Sequence, residues 1–384
     1  MNFDGIINNK LSQAGTSIFA VMTSLANEYK AINLAQGFPE FDCNDKLKEL
    51  VGKAIKNGHN QYAPMPGLIS LREKIAQKTY ELYSANYHPE TEITIMPGAT
   101  QCIFASIMAL VKDNDEVIVI EPAYDNYIPS IELAGGKAIV FELSFPDFKI
   151  DWDQLKKLIN NKTRMIILNT PHNPSGTILS SEDMHKLEKL IDNTDVIVLS
   201  DEVYEHILFD GFEHQSVARF PKLANRSVVI SSFGKTYHST GWKMGYCLAP
   251  NNITTQIRKV YQFMSFAANT PIQYAYNDIL DDKHLYLELG KFYQQKRDLF
   301  AQLLKPSRFK LLQCNGSYFQ TVTYDKISLD SDMEMAKKLT IEFGVATIPY
   351  SPFYKRKTDN KALRLCFAKN DETLVKAAEI LCQI

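Results

Sequence analysis

From about Glu92 to Pro250 the chain alternates short apolar, β-rich runs with longer amphipathic ones. The apolar runs are Glu92–Met96, Glu116–Ile120, Ala138–Leu143, Met165–Asn169, Val196–Ser200, Ser227–Ser231 and Gly245–Ala249. Each is short and near-continuous in hydrophobic residues, the pattern of a strand buried on both faces. Helical spacing separates most of them. Cys102–Val111 puts Ile103, Phe104, Ile107, Met108 and Val111 on one side, and Asp153–Ile159 groups Leu155, Leu158 and Ile159. Buried strands joined by helices predict an α/β fold with a mostly parallel seven-stranded sheet covered on both faces, and right-handed crossovers.

The rest of the chain is patterned differently. A helix over about Ser17–Tyr29 precedes the loop Asn33-Leu34-Ala35-Gln36-Gly37-Phe38-Pro39. Beyond the sheet region one long helical stretch runs from about Tyr274 to Leu304. Phe309–Leu312, Gly316–Thr323 and Leu363–Cys366 then read as strands, with helices near Met333–Glu342 and Asp371–Leu381. The expected division is a large domain over 45–285 and a smaller α+β domain built from 1–44 plus 286–384, packed tightly with a cleft between.

Composition narrows the class. Forty-two basic against forty-four acidic residues give a formal charge of −2, so no field for nucleic acid or a membrane surface is implied. The longest apolar run, Phe104–Val111, is too short to span a bilayer. No basic-plus-apolar leader precedes Leu11, and the expected location is the cytoplasm. The six cysteines and eight histidines show no metal-ligand or redox spacing, so reduced thiols and no metal are expected.

The chemistry concentrates at strand ends. Lys235 follows the apolar strand in Ser231-Ser232-Phe233-Gly234-Lys235-Thr236, with a second cation, Lys243, in Gly241-Trp242-Lys243-Met244-Gly245. A lysine at a sheet edge, partly buried beside another cation, loses its proton more readily and can attack an aldehyde to form a Schiff base. Met96-Pro97-Gly98-Ala99-Thr100-Gln101 joins a strand to a helix whose N-terminal N–H groups can take a phosphate. In Asn169-Thr170-Pro171-His172-Asn173-Pro174, Pro174 keeps Asn173 out of helix, free to hydrogen-bond into the cleft. Asp201 ends another buried strand and needs a partner, which a pyridinium nitrogen supplies, and Tyr204 lies three residues on. Taken in this order the motifs converge on pyridoxal 5′-phosphate.

These runs also carry a resemblance. With Asn33–Phe41, Asn60–Gly67, Asn169–Gly176, Ser200–His206, Ser231–Tyr246 and Leu363–Lys369, the chain resembles the fold type I, class I/II aminotransferases over essentially its whole length. Within them it resembles the kynurenine and glutamine–phenylpyruvate branch, and looks closest to its bacterial methionine aminotransferases. The resemblance implies that Lys235 forms the Schiff base and then shuttles the substrate α-proton, and that Asp201 pairs with the ring nitrogen. It implies Asn173 and Tyr204 on the ring oxygen and Tyr124 stacked on the ring, with Ala99, Thr100, Ser232 and Lys243 on the phosphate. Arg364 becomes the fork for the substrate carboxylate, aided by Asn173 and the Gly37 N–H. Tyr62 would reach the phosphate of a neighbouring subunit, so a homodimer with shared sites is implied.

Two positions depart from the common pattern. Lys243 stands where many relatives carry arginine, and Phe19 stands where animal kynurenine enzymes often carry tryptophan. No second arginine sits in a recognisable motif for a distal carboxylate. Phe19, Ile18, Phe38 and Phe266 suggest an apolar pocket for methionine, aromatic residues, leucine or glutamine, with a 2-oxo acid as acceptor and loose discrimination. A cysteine-conjugate carbon–sulfur β-lyase shares the same residue set, and only about thirty residues precede the Asn33 loop, too few for the DNA-binding part of a regulator.

Overall fold

The computed structural model describes residues 9–11 and 15–384. Its strands in chain order are β1 Ile32–Asn33, β2 Ile93–Met96, β3 Glu116–Glu121, β4 Lys137–Glu142, β5 Thr163–Asn169, β6 Ile197–Asp201 and β7 Ser227–Ser232. They continue as β8 Gly245–Leu248, β9 Lys310–Leu311, β10 Phe319–Thr323, β11 Val345–Ala346, β12 Ile348–Pro349 and β13 Ala362–Cys366. The first helices are α1 Ile18–Glu28, α2 Asp45–Lys56, α3 Ile69–Tyr83 and α4 Ala99–Leu110.

Seven strands form the expected sheet, in the order β2-β8-β7-β6-β5-β3-β4. Every ladder is parallel except those of β8, which runs against both β2 and β7. The near-continuous apolar runs are explained by two cores. Along β3, Val117 and Val119 face a layer containing Ile103 and Ile107 of α4, while Ile118 and Ile120 face a layer containing Leu71 and Ile75 of α3. A third core joins Met22 and Ala26 of α1 to β10, β13 and the helices Leu289–Leu304 and Asp371–Leu381. It also takes in Tyr204, Ile207 and Phe209 from the segment after β6, which brings the two sets of elements together at that strand's end.

Several expected boundaries move for local reasons. The single helix expected over Tyr274–Leu304 is three, Thr270–Ile279, His284–Leu287 and Leu289–Leu304, broken at the acidic turn around Asp281 and Asp282. The strand expected from Gly316 starts at Phe319, because Ser317 sits at φ +60. The helix expected over Asp153–Ile159 is Trp152–Lys156, started early by the Asp151 carboxylate, which accepts from the Asp153 and Gln154 N–H groups at 3.1 and 3.0 Å.

Candidate active site

The parallel strands deliver their chemistry to one edge, as open α/β sheets do. Asn169 ends β5 in register with Asp201, which ends β6. Beside them β7 ends at Ser232 and passes directly into the one-turn helix Phe233–Thr236 that carries Lys235. At the same edge β2 ends at Met96, and Gly98, at φ +85, turns the chain into α4. Antiparallel β8 fits between β2 and β7 only because it starts with glycine: a Cβ on Gly245 would lie 2.8 Å from both the Ala99 nitrogen and the Ser231 oxygen.

Together these ends enclose a cavity of about 250 Å³, closed from the other side by Phe19 of α1, Gln36 and Gly37 of the following loop, Phe319 of β10 and Arg364 of β13. Lys235, Lys243 and Arg364 line it against one carboxylate, Asp201, so it carries an excess of positive charge.

Lys235 Nζ donates to the Gly37 carbonyl at 3.0 Å and the Tyr318 hydroxyl at 2.8 Å, both neutral acceptors. Burial, with Arg364 and Lys243 nearby, pushes its pKa down to about 8 despite the opposing pull of Cys366 and Asp201. At pH 7 roughly one such lysine in ten is neutral, against fewer than about one in a thousand at an ordinary lysine pKa. The amine is therefore a usable nucleophile and base.

One end of the cavity is built for an anion. Helix α4 has glycine at its N-cap and no side-chain cap, and among the described residues the Ala99 and Thr100 N–H groups find no acceptor. Lys243, held left-handed at φ +52, sits beside this turn: its Nζ lies 3.6 Å from where a Gly98 Cβ would be. Ser232 lines the same wall, and Thr100 Oγ1 lies 3.5 Å from the Tyr124 hydroxyl.

Asp201 is buried, and burial raises its carboxyl pKa to about 6. Two donors work against that rise, the Tyr127 hydroxyl at 2.6 Å and the Val203 N–H at 3.4 Å. Tyr127 is one of the residues that sequence reasoning missed. Its only signal was its place three residues after Tyr124, where a short helix begins. Tyr318 is another.

Arg364 is buried and forms no ion pair among the described residues. Its guanidinium lies 3.9 Å from the Phe319 ring centroid and 5.0 Å from that of Phe19. One Nη donates to Asn173 Oδ1 at 2.7 Å and the other to the Ala35 carbonyl at 3.0 Å, while the buried Nε–H has no acceptor among the described residues. A carboxylate entering the cavity completes that set.

Of the expected site residues, Phe19, Gly37, Ala99, Thr100, Tyr124, Asn173, Asp201, Tyr204, Ser232, Lys235, Lys243 and Arg364 all line this cavity. Tyr62 does not: it is 84% exposed and packs edge-on against Phe266 at 5.4 Å. The wider apolar lining needs correction. Phe38 and Phe266 are exposed and Ile18 packs into the third core, so of that quartet only Phe19 reaches the cavity. The remaining apolar wall comes from Ile103, Val203, Met244 and Phe319.

Known proteins show the same architecture. The family described as aminotransferase class I and II matches residues 29–381. Methionine aminotransferase of Escherichia coli (strain K12) is 47% identical over 381 residues, covering 99% of this chain and 98% of that protein. Kynurenine–oxoglutarate transaminase of Dictyostelium discoideum is 34% identical, covering 98% and 96%. The crystal structure of YbdL from Escherichia coli, reported with a methionine aminotransferase function, superposes with a TM-score of 0.97 at 47% identity, covering 98% of this chain and 99% of that one. Matched end to end in sequence and in fold, the chain belongs to the class I and II aminotransferases, within reach of the methionine and kynurenine enzymes, and is an enzyme that transfers amino groups.

Proposed function

We propose that this enzyme moves the α-amino group of methionine, or of another large apolar or aromatic amino acid, to a 2-oxo acid in two half-reactions at one site. The observation that carries the reading is the pairing, across one small cavity, of a deprotonatable Lys235 with a buried Arg364 that has no ion-pair partner among the described residues. The two idle N–H groups of α4, Lys243 and the strand-end carboxylate Asp201 fit a phosphorylated pyridine, and enzymes of this family use pyridoxal 5′-phosphate. When bound, that group supplies an aldehyde to receive the amine and an electron sink for the α-carbon.

The chain's own residues then divide the work. Ala99, Thr100, Ser232 and Lys243 would hold the phosphate, Asp201 would pair with the ring nitrogen, Tyr204 and Asn173 would bond the ring oxygen, and Tyr124 would pack against the ring. Arg364 forks the substrate carboxylate with Asn173 and the Gly37 N–H beside it, which aims the α-hydrogen at Lys235. Lys235 Nζ is the amine that would hold the aldehyde, and it would carry the α-proton during transfer. Phe19, Val203, Met244 and Phe319 form an apolar wall without a second arginine, which favours methionine over aspartate. The exposed pair Tyr62 and Phe266 supports a homodimer in which Tyr62 serves the partner's site. Among the described residues no helix is long and apolar enough to cross a membrane and the six cysteines are unpaired, in keeping with a reducing cytoplasm.

The test is the visible absorption of the purified protein titrated with single amino acids and no oxo acid. Loss of the visible band with methionine or phenylalanine, and its return with a 2-oxo acid, is the expected result. A response to aspartate alone sinks the apolar-donor reading. Pyruvate and ammonia released from a cysteine conjugate without any acceptor would point to β-elimination instead.

A further inference from the structure

Tyr318 has no part in the reading above, yet it makes the shortest contact to Lys235. Its ring is fully buried, edge-on to Tyr204 at 5.1 Å and to Phe319 at 4.9 Å. The hydroxyl's one proton goes to the Gly37 carbonyl at 2.7 Å, which leaves an oxygen lone pair toward Lys235 Nζ at 2.8 Å. Nζ, the Tyr318 hydroxyl and the Gly37 carbonyl thus form a closed triangle in which each edge is a hydrogen bond.

Placement reinforces this. Ser317 takes φ +60 and donates its N–H to the Ile207 carbonyl at 2.9 Å, fixing the turn that aims Tyr318 inward. The Phe367 N–H donates to the Tyr318 carbonyl at 3.0 Å, so the backbone is pinned from the Arg364 strand as well. The next residue, Phe319, lies under the Arg364 guanidinium. Two successive residues therefore each serve one of the cavity's cations. Burial pushes the Tyr318 phenol's pKa well up, so the hydroxyl keeps its proton and remains an acceptor toward lysine.

We propose that Tyr318 is a positioning residue for Lys235: with the Gly37 carbonyl it forms the dock in which the amine rests and holds its proton whenever it is not bonded to the aldehyde. The same Gly37 lines the cavity beside Arg364, so the dock ties the resting place of the amine to the loop expected to meet the carboxylate. This inference rests on Lys235 being the aldehyde-bonding lysine.

The experiment uses the full-length chain, stripped of cofactor and given back pyridoxal 5′-phosphate between about pH 6 and 10, following the rate at which visible absorption grows. In the wild type the rate is expected to rise through an inflection near pH 8. Tyr318→Phe keeps the ring and its packing but removes one acceptor from the ammonium. The inflection is expected to fall by about one pH unit with the final absorbance unchanged. An unmoved inflection overturns the dock, because a merely structural tyrosine would leave it where it was. A Lys235→Ala control separates the two ideas: a full band without Lys235 defeats the underlying assignment whatever Tyr318 does. If Tyr318→Phe does not fold, the wild-type holoenzyme crystal soaked with L-methionine alone decides. Lys235 Nζ within about 3.2 Å of the Tyr318 hydroxyl supports the dock, and Nζ turned away from it overturns it.

Discussion

Lys78 and Lys235 are both lysines set into the interior, and their surroundings give them opposite characters. Lys78, on α3, donates to Glu205 Oε1 at 2.8 Å and to the Tyr246 hydroxyl at 2.9 Å, and the other Glu205 oxygen accepts from Tyr83 at 2.6 Å. Burial opposes its charge, but Glu205 and Tyr246 outweigh burial and hold its pKa above the usual lysine range. Burial likewise opposes the Glu205 charge, but Lys78 and His206 hold that carboxyl well below its usual range. Lys235 meets two neutral oxygens and two other cations, and its pKa falls to about 8. Burial alone does not make a lysine reactive; burial without a counter-ion does.

The sharpest break of this contrast is Lys235→Ala. Activity should fall by at least about 10³-fold and the visible band should vanish, since both the covalent anchor and the proton carrier are lost. Steady-state assay and absorption spectroscopy read both, and residual turnover within tenfold of wild type would refute the assignment.

Lys78→Met reads the other arm. It leaves Glu205 charged and buried, and urea denaturation should show a loss of about 3–5 kcal/mol. Arg364→Lys should lower kcat/KM by about 10²-fold with the fold intact, because a point charge replaces a planar fork.

The two lysines should also differ in how stability follows pH. Lys235 titrates near 8 in the folded chain and near 10.5 once unfolded, so between those values the unfolded chain binds more protons and stability rises with pH. Cofactor-free Lys235→Ala should therefore be the more stable protein at pH 7, by about 1–3 kcal/mol, with the gap closing toward pH 10. Lys78, shifted the other way, contributes stability that stays whole below pH 10.5 and is lost only above it. Denaturation at pH 7 and pH 10 checks the contrast: the Lys235 gap should close between them while the Lys78 contribution holds.

The smallest effect is at Tyr127→Phe. Removing that donor lets the Asp201 carboxyl drift above about 6, so the acid limb of kcat/KM should move upward, with about a threefold loss near neutral pH. A pH–rate profile with an unmoved acid limb would show that Tyr127 only fills space.

How much of this was legible beforehand follows from where the information lies. The seven sheet strands were readable because each is apolar on both faces, and Lys235, Asp201, Asn173 and Gly98 because they sit at strand ends beside distinctive turns. Helices α2 and α3 were not assigned. In α3 the core-facing side includes Arg72, Lys78 and Thr79, all buried, and this interrupts the apolar stripe that marks a helix. Tyr318 and Tyr127 were hidden for another reason. Their partners Lys235 and Asp201 lie 83 and 74 residues away along the chain; nothing local marks Tyr318, and Tyr127 has only its spacing from Tyr124. The exposed Phe38 and Phe266 show the converse, where an aromatic residue near a motif was read as pocket lining and faces outward instead.

The cavity's three cations and single carboxylate have a practical consequence at the bench. Such a site also attracts small oxyanions, so sulfate and inorganic phosphate should compete with the substrate. Michaelis constants taken in phosphate buffer should exceed those in an organic zwitterionic buffer, and rising ionic strength should weaken capture of an acidic substrate before it slows turnover. Assay composition is therefore part of how this enzyme's specificity will be read.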